Sequence, residues 1–182
     1  MSTTSDAILS VGEQVTPAAM DQVYRGVPET SVPFGIQELA WQHFKPDTSQ
    51  SDGVFADRLG DPLITKCAEL TGGFAGRNIL ELGPYEGFHT VSLHRLNPQS
   101  ILSIEANPRN YFKCLVVKEH YRLDRARFLL GDFQQYLLAH RQRFDFILAA
   151  GILYHLPHPF GLLDLIVDST DAFGICTTYF DP

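Results

Sequence analysis

The sequence predicts an α/β fold built on a doubly wound, mostly parallel sheet, and three observations carry that expectation. From residue 78 onward, short runs rich in Ile, Leu and Phe alternate with helical stretches of about ten residues, in the order βαβαβαβαβ. The first run ends in Gly83, and a second glycine, Gly87, opens the helix that follows. The second run ends in an acid, Glu105, 22 residues beyond Gly83. Parallel neighbours joined by helices imply right-handed crossovers.

Each element has its own local reason. Asp61-Pro62 reads as an N-cap with Pro at the first helical position, opening a helix that Gly72-Gly73 ends. Asn78–Leu82 is the first strand, and Gly87 starts a helix running to about Arg95. Ser100–Glu105 is the second strand, and Asn107-Pro108 repeats the cap signature for a helix reaching about His120. Arg127–Leu130 is the third strand, followed by Gly131-Asp132 and a short helix from Phe133 to His140. Phe144–Ala150 is the fourth strand. Pro157 and Pro159 delay the next helix to Phe160–Ser169, and Ala172–Tyr179 is the fifth strand.

Residues 61–182 form the expected core, and residues 1–60 an N-terminal helical extension or cap. Within the extension, Thr16-Pro17 opens a short helix to about Tyr24, and Phe34–Phe44 reads as an amphipathic helix. A cap over the cleft would turn Tyr24, Trp41 and Phe44 inward. A layer packed on the back of the sheet is the alternative.

Composition narrows the function classes. The chain has 182 residues, 45% of them apolar, and a net charge of -7. No Lys/Arg cluster of the kind that follows a phosphate backbone is present, which argues against a dedicated nucleic-acid binder. Cys67, Cys114 and Cys176 form no metal knuckle and no C-x-x-C pair, so free thiols in a reducing cytoplasm are expected. The N-terminus has no basic and apolar leader pattern, and the longest apolar run, Phe146–Leu153, is too short to span a bilayer. No membrane partner is expected.

The chemistry concentrates at strand ends. Gly83 permits a sharp turn and close approach of a ligand to the main chain, and the helix start at Gly87 offers free N–H groups. Tight-turn geometry alone would also account for both glycines. Glu105 stands where an acid holds the ribose hydroxyls of an adenosine, although a solvated strand-end Glu would look the same. Asp132 and Phe133 would bracket an adenine, or Asp132 would simply cap a helix. A nicotinamide fingerprint would need glycine at 85 and 88, where Tyr85 and Phe88 stand. Glu81, inside the strand end, suits a cationic ligand better than a pyrophosphate.

The stretch Leu80-Glu-Leu-Gly-Pro-Tyr-Glu-Gly87 resembles the first motif of the class I S-adenosylmethionine (SAM)-dependent methyltransferases. Ile104–Asn107, Gly131–Phe133 and Phe144–Leu156 resemble the next three motifs, in order, so the resemblance covers roughly residues 76 to 182. The Leu153-Tyr154-His155 form is similar to the branch containing wobble-uridine tRNA-modifying enzymes and many bacterial relatives. The resemblance implies a Rossmann-like fold and SAM as cofactor. By position it places Glu81, Gly83, Pro84 and Gly87 around the methionine part, and Glu105 on the ribose hydroxyls. Asp132 would meet the adenine amino group, with Ala106 and Phe133 flanking the ring. Ala150 and Gly151 would lie beneath the sulfonium. The family often carries a middle glycine where this chain has Tyr85.

Tyr154 and His155 are the candidate catalytic residues, with His155 as a base that takes a proton from the acceptor. The plain alternative is that Tyr154 packs on the sheet and His155 braces the loop before Pro157. The other histidines show no metal-ligand spacing, and Asp145 lies at the wrong end of its strand for chemistry. The acceptor is expected to be a small molecule or an RNA. A catalytically silent SAM-binding or scaffold domain, or a nucleotide-binding oxidoreductase, would share the fold. Class I sheets usually have seven strands and this chain supplies five. The sheet is therefore expected to be truncated after strand five, whose apolar edge a missing C-terminal segment, a partner or the N-terminal region would cover.

Overall fold

The computed structural model describes residues 61–177. The helices expected within residues 1–60, with Tyr24, Trp41 and Phe44, lie outside the described residues.

Five helices and five strands alternate: α1 (Pro62–Thr71), β1 (Asn78–Leu82), α2 (Phe88–His94), β2 (Ser100–Glu105), α3 (Pro108–Tyr121), β3 (Ala126–Leu130), α4 (Phe133–Ala139), β4 (Phe144–Ala150), α5 (Pro159–Ser169) and β5 (Thr170–Thr177). A short 3-10 turn, Leu153–His155, separates β4 from α5. The cap signatures do what their chemistry requires. Asp61 Oδ1 accepts from Leu63 N at 2.8 Å, and Gly72 closes α1 in the left-handed region at φ 76°. Asn107 Oδ1 accepts from Arg109 N and Asn110 N, opening α3. β5 begins at Thr170 rather than Ala172, because α5 gives way directly to extended backbone there, at φ -110° and ψ 133°.

All strand pairs are parallel, in the order β3-β2-β1-β4-β5. β1 is central, and its residues from Ile79 to Leu82 are buried, as are Ile147 and Leu148 of β4. Leu80, Leu82, Ile104, Phe144 and Ile147 make one apolar layer with Leu162 and Ile166 of α5. Each such buried side chain contributes about 1.5–3 kcal/mol. Phe74 packs on Phe146 with ring centroids 4.6 Å apart. Cys67 and Cys114 are buried free thiols.

The amino end of the sheet is held by polar ties. Asp145 Oδ2 accepts from Asn78 N at 2.8 Å, which pins the starts of β4 and β1 together. Arg143 donates to the Asp168 and Thr170 carbonyls and pairs with Asp171, joining the end of α5 to the start of β5. These groups serve register, and all the strands present their carboxyl ends to the opposite side. Among the described residues, no helix is long and apolar enough to cross a membrane.

Candidate functional site

An open cleft of about 860 Å³ lies at the carboxyl ends of β1, β2 and β4, the place where open parallel sheets take their ligands. Of the twelve residues singled out in the sequence, ten line it, and Glu81 and Gly87 do not.

Gly83 makes the turn out of β1 at φ 65°, and its N–H donates to the Ile104 carbonyl at 2.9 Å. A Cβ there would lie 2.7 Å from Ile152 Cγ2. Both backbone and space therefore demand glycine. Pro84 follows it on the cleft wall. Gly87 was expected beside the ligand and is instead a packing residue. It caps α2 at φ 81°, and a Cβ on it would face Val117 and Phe128 at 3.4 and 3.6 Å, so it lets α2 close against α3 and β3. At the position where the resemblance expects a middle glycine, Tyr85 takes the left-handed conformation itself, at φ 58°.

Glu81 was also expected on the wall and is instead buried, at 1% exposure. Alternation along β1 turns it to the face that α2 covers. There its Oε2 accepts from Thr90 Oγ1 and from Ser103 Oγ, its cross-strand partner on β2. Its Oε1 has no hydrogen-bond partner among the described residues. Burial pushes the Glu81 carboxyl above its ordinary value, opposed by the His89 charge and the two hydroxyl bonds.

Glu105 does line the cleft, and its carboxylate is fixed at both ends. Oε2 accepts from Tyr85 N at 2.9 Å and Oε1 from Asn107 N at 2.8 Å. Burial raises its carboxyl, and the backbone N–H groups pull it back down. Asp132 combines both sequence readings. Its Oδ1 caps α4 through Gln134 N and Gln135 N, and the residue stands on the cleft wall with Ala106 and Phe133. Ala150 and Gly151 form the floor at the end of β4, where Gly151 N donates to the Thr177 carbonyl and hydroxyl at 3.1 Å.

Tyr154 and His155 belong to the short turn after β4 and line the cleft mouth, with rings 4.2 Å apart. Both are exposed at the cleft mouth, and His155 N donates to the Ile152 carbonyl at 3.0 Å within the turn.

Sequence reasoning missed His89. It lines the cleft from the first turn of α2, and its Nε2 lies 2.8 Å from Asp61 Oδ2. The partners are 28 residues apart on different helices, so no spacing announces them. The one available signal was that a capping aspartate has a second oxygen to give. Among the described residues, no group of three or more His, Cys, Asp or Glu could hold a metal ion.

No protein-family model matches the chain, and no curated protein does. Solved structures do. The chain is similar to EvdMO1, at 31% identity over 58% of this chain and 25% of that one, with a TM-score of 0.53. It is similar to the N-terminal domain of EvdMO1 with SAH (S-adenosylhomocysteine) bound, at 30% identity over 62% and 48%, with a TM-score of 0.54. The bifunctional kinase-methyltransferase WbdD shares the fold at 24% identity over 60% and 25%, with a TM-score of 0.50. The chain thus spans from a quarter to about half of the length of these structures. Together with the strand order, they give the chain the Rossmann-like fold of the class I methyltransferases.

Proposed function

We propose that the chain is a SAM-dependent methyltransferase domain acting on a hydroxyl of a small molecule. The observation that carries the reading is the cleft, walled by the Gly83 turn and the doubly held Glu105. The residues present fit the cofactor. Glu105 presents on the cleft wall a carboxylate held by two backbone N–H groups, an acceptor suited to a pair of hydroxyls. Gly83, Pro84, Ala150 and Gly151 would hold the methionine part, Glu105 the ribose hydroxyls, and Asp132, Ala106 and Phe133 the adenine. The nearby domain solved with SAH supports the same cofactor.

When bound, SAM supplies a methyl group already activated by a sulfonium. The protein's part is to orient the acceptor, exclude water and receive a proton. A hydroxyl acceptor loses its proton as its oxygen bonds to carbon. Among the described residues, two imidazoles reach the cleft for this: His155, exposed beside Tyr154, and His89, whose Nε2 is anchored on Asp61. The anchored ring has the arrangement of a base oriented by a third group.

The N-terminal domain of EvdMO1 was crystallised in the presence of SAH and D-fucose, and this supports a sugar-like acceptor here. The Leu153-Tyr154-His155 sequence favours a second reading, a wobble-uridine RNA acceptor, against which stands the net charge of -7. Calorimetric titration of the chain with SAH and with NADH tests the cofactor, with SAH expected to bind and NADH not. The reverse preference would sink the reading, and SAH binding without methyl transfer to any sugar or RNA would leave a silent SAM-binding domain in its place.

A further inference from the structure

The loop after Gly83 is gripped from one turn of α3. Lys113 Nζ lies 2.9 Å from Glu86 Oε1, with side-chain exposures of 4% and 0%. The same ammonium stands 5.1 Å from the centroid of the Tyr85 ring. The next residue, Cys114, donates through Sγ to the Tyr85 carbonyl at 3.3 Å. Between these contacts Tyr85 holds a left-handed backbone that a non-glycine residue rarely adopts, and its N–H points to Glu105 Oε2 at 2.9 Å.

A buried ion pair is seldom a net source of stability, since apolar groups of the same volume do as well. What this pair supplies is geometry. Lys113 and Glu86 stay off the cleft wall, while Tyr85 and Glu105 are on it. The line of contacts therefore runs from a buried pair, through a strained residue, to the carboxylate that faces the ligand.

We propose that Lys113 and Glu86 are positioning residues for the ribose subsite: they clamp Tyr85 in its left-handed conformation and so hold the Glu105 carboxylate for a nucleoside with free 2′- and 3′-hydroxyls. Each Glu105 oxygen already accepts one backbone N–H. The fixed carboxylate keeps acceptor capacity on the cleft side for two adjacent hydroxyls, and its charge rejects a 2′-phosphate. The proposal rests on the cofactor reading given above and adds to it the device that aims the acid.

The test is calorimetry on the full chain with SAH and with its 2′-deoxyribose analogue. Lys113→Met alone leaves Glu86 buried without its ammonium and is expected to compromise folding, so the working variant is Lys113→Met/Glu86→Gln, checked by circular dichroism. The wild type should favour SAH over the deoxy analogue by about tenfold or more, the value of one lost hydrogen bond to a charged group. The double variant should lose most of that preference while binding the deoxy analogue nearly as before. Tyr85→Gly, which adopts the left-handed backbone without a clamp, should keep the preference even in the double variant, and Tyr85→Phe should keep it in the otherwise wild-type chain. A folded double variant that retains both affinity and preference overturns the clamp. So does one that weakens both ligands equally, since that is the mark of a merely structural pair. A wild-type chain that binds no SAH overturns the cofactor reading itself and the clamp with it.

Discussion

His89 Nε2 lies 2.8 Å from Asp61 Oδ2, while Asp61 Oδ1 accepts from Leu63 N. One carboxylate therefore caps α1 and anchors an imidazole on the cleft wall. The two duties separate by substitution. Asp61→Asn keeps an oxygen for the cap, whereas Asp61→Ala removes both contacts. Asp61→Ala is expected to be less stable than Asp61→Asn by about 1 kcal/mol, measured by urea denaturation. Equal losses would show that the cap contributes nothing. His89→Gln should leave SAH affinity near wild type and lower kcat by about 10²-fold or more, the range of a lost base. If His155→Gln does this and His89→Gln does not, the base is His155.

Most of the fold was legible because each boundary carries its own chemistry. Asp61-Pro62, Asn107-Pro108, Gly72 and the Gly83 turn are local signals, and local signals survive in one dimension. The site was legible where a residue's place on the sheet decides its neighbours, as for Glu105, Asp132 and Gly151. It was not legible where side-chain direction decides. Glu81 and Gly83 are two residues apart, yet Glu81 lies inside β1 with its side chain beneath α2, whereas Gly83 is the turn beyond the strand's end and stands on the wall. Long-range pairs such as His89 with Asp61 and Lys113 with Glu86 leave no mark in spacing at all.

Glu81 gives a pH dependence of stability with a definite sign. Burial raises its carboxyl above the ordinary value of 4.5. The native state then binds more protons than the unfolded chain at pH values between 4.5 and the raised native value. Stability from this group therefore falls as pH rises through that window, the opposite of a salt-bridged acid. Relative to Glu81→Gln, the wild type should lose stability from about pH 4.5 upward, in denaturant midpoints taken at successive pH values. SAH affinity should stay near wild type in this variant, because Glu81 lies under α2 and off the cleft wall. A flat stability difference across this range would mean that Glu81 stays ionised in the fold.

Asp132 has two possible jobs, and conservative substitution distinguishes them. Asp132→Asn keeps an oxygen for Gln134 N and Gln135 N and so keeps the start of α4. Asp132→Ala should cost about 1 kcal/mol of stability through the lost cap. If the carboxylate also meets an adenine amino group, Asp132→Asn should be as stable as wild type yet bind SAH several-fold more weakly. Unchanged SAH affinity in that variant would leave Asp132 as a cap alone.

The Gly83–Ile152 contact supports the last prediction. Gly83 sits at φ 65°, and a Cβ added there would meet Ile152 Cγ2 at 2.7 Å. Ile152 is 7% exposed and belongs to the apolar layer under the cleft, so it has little room to retreat. Gly83→Ala is therefore expected to lose about 2–4 kcal/mol, part from the left-handed backbone and part from overpacking. Ile152→Ala removes the opposing methyl and opens a cavity of its own. In the double variant the clash is gone but the backbone strain stays. The two substitutions should then be coupled, with the double variant about 1–2 kcal/mol more stable than the sum of the single losses. Both residues line the cleft, so SAH binding should follow the same pattern, worst in Gly83→Ala and partly restored in the pair. Strict additivity in denaturation would show that backbone conformation alone, and no contact with Ile152, demands glycine at the turn.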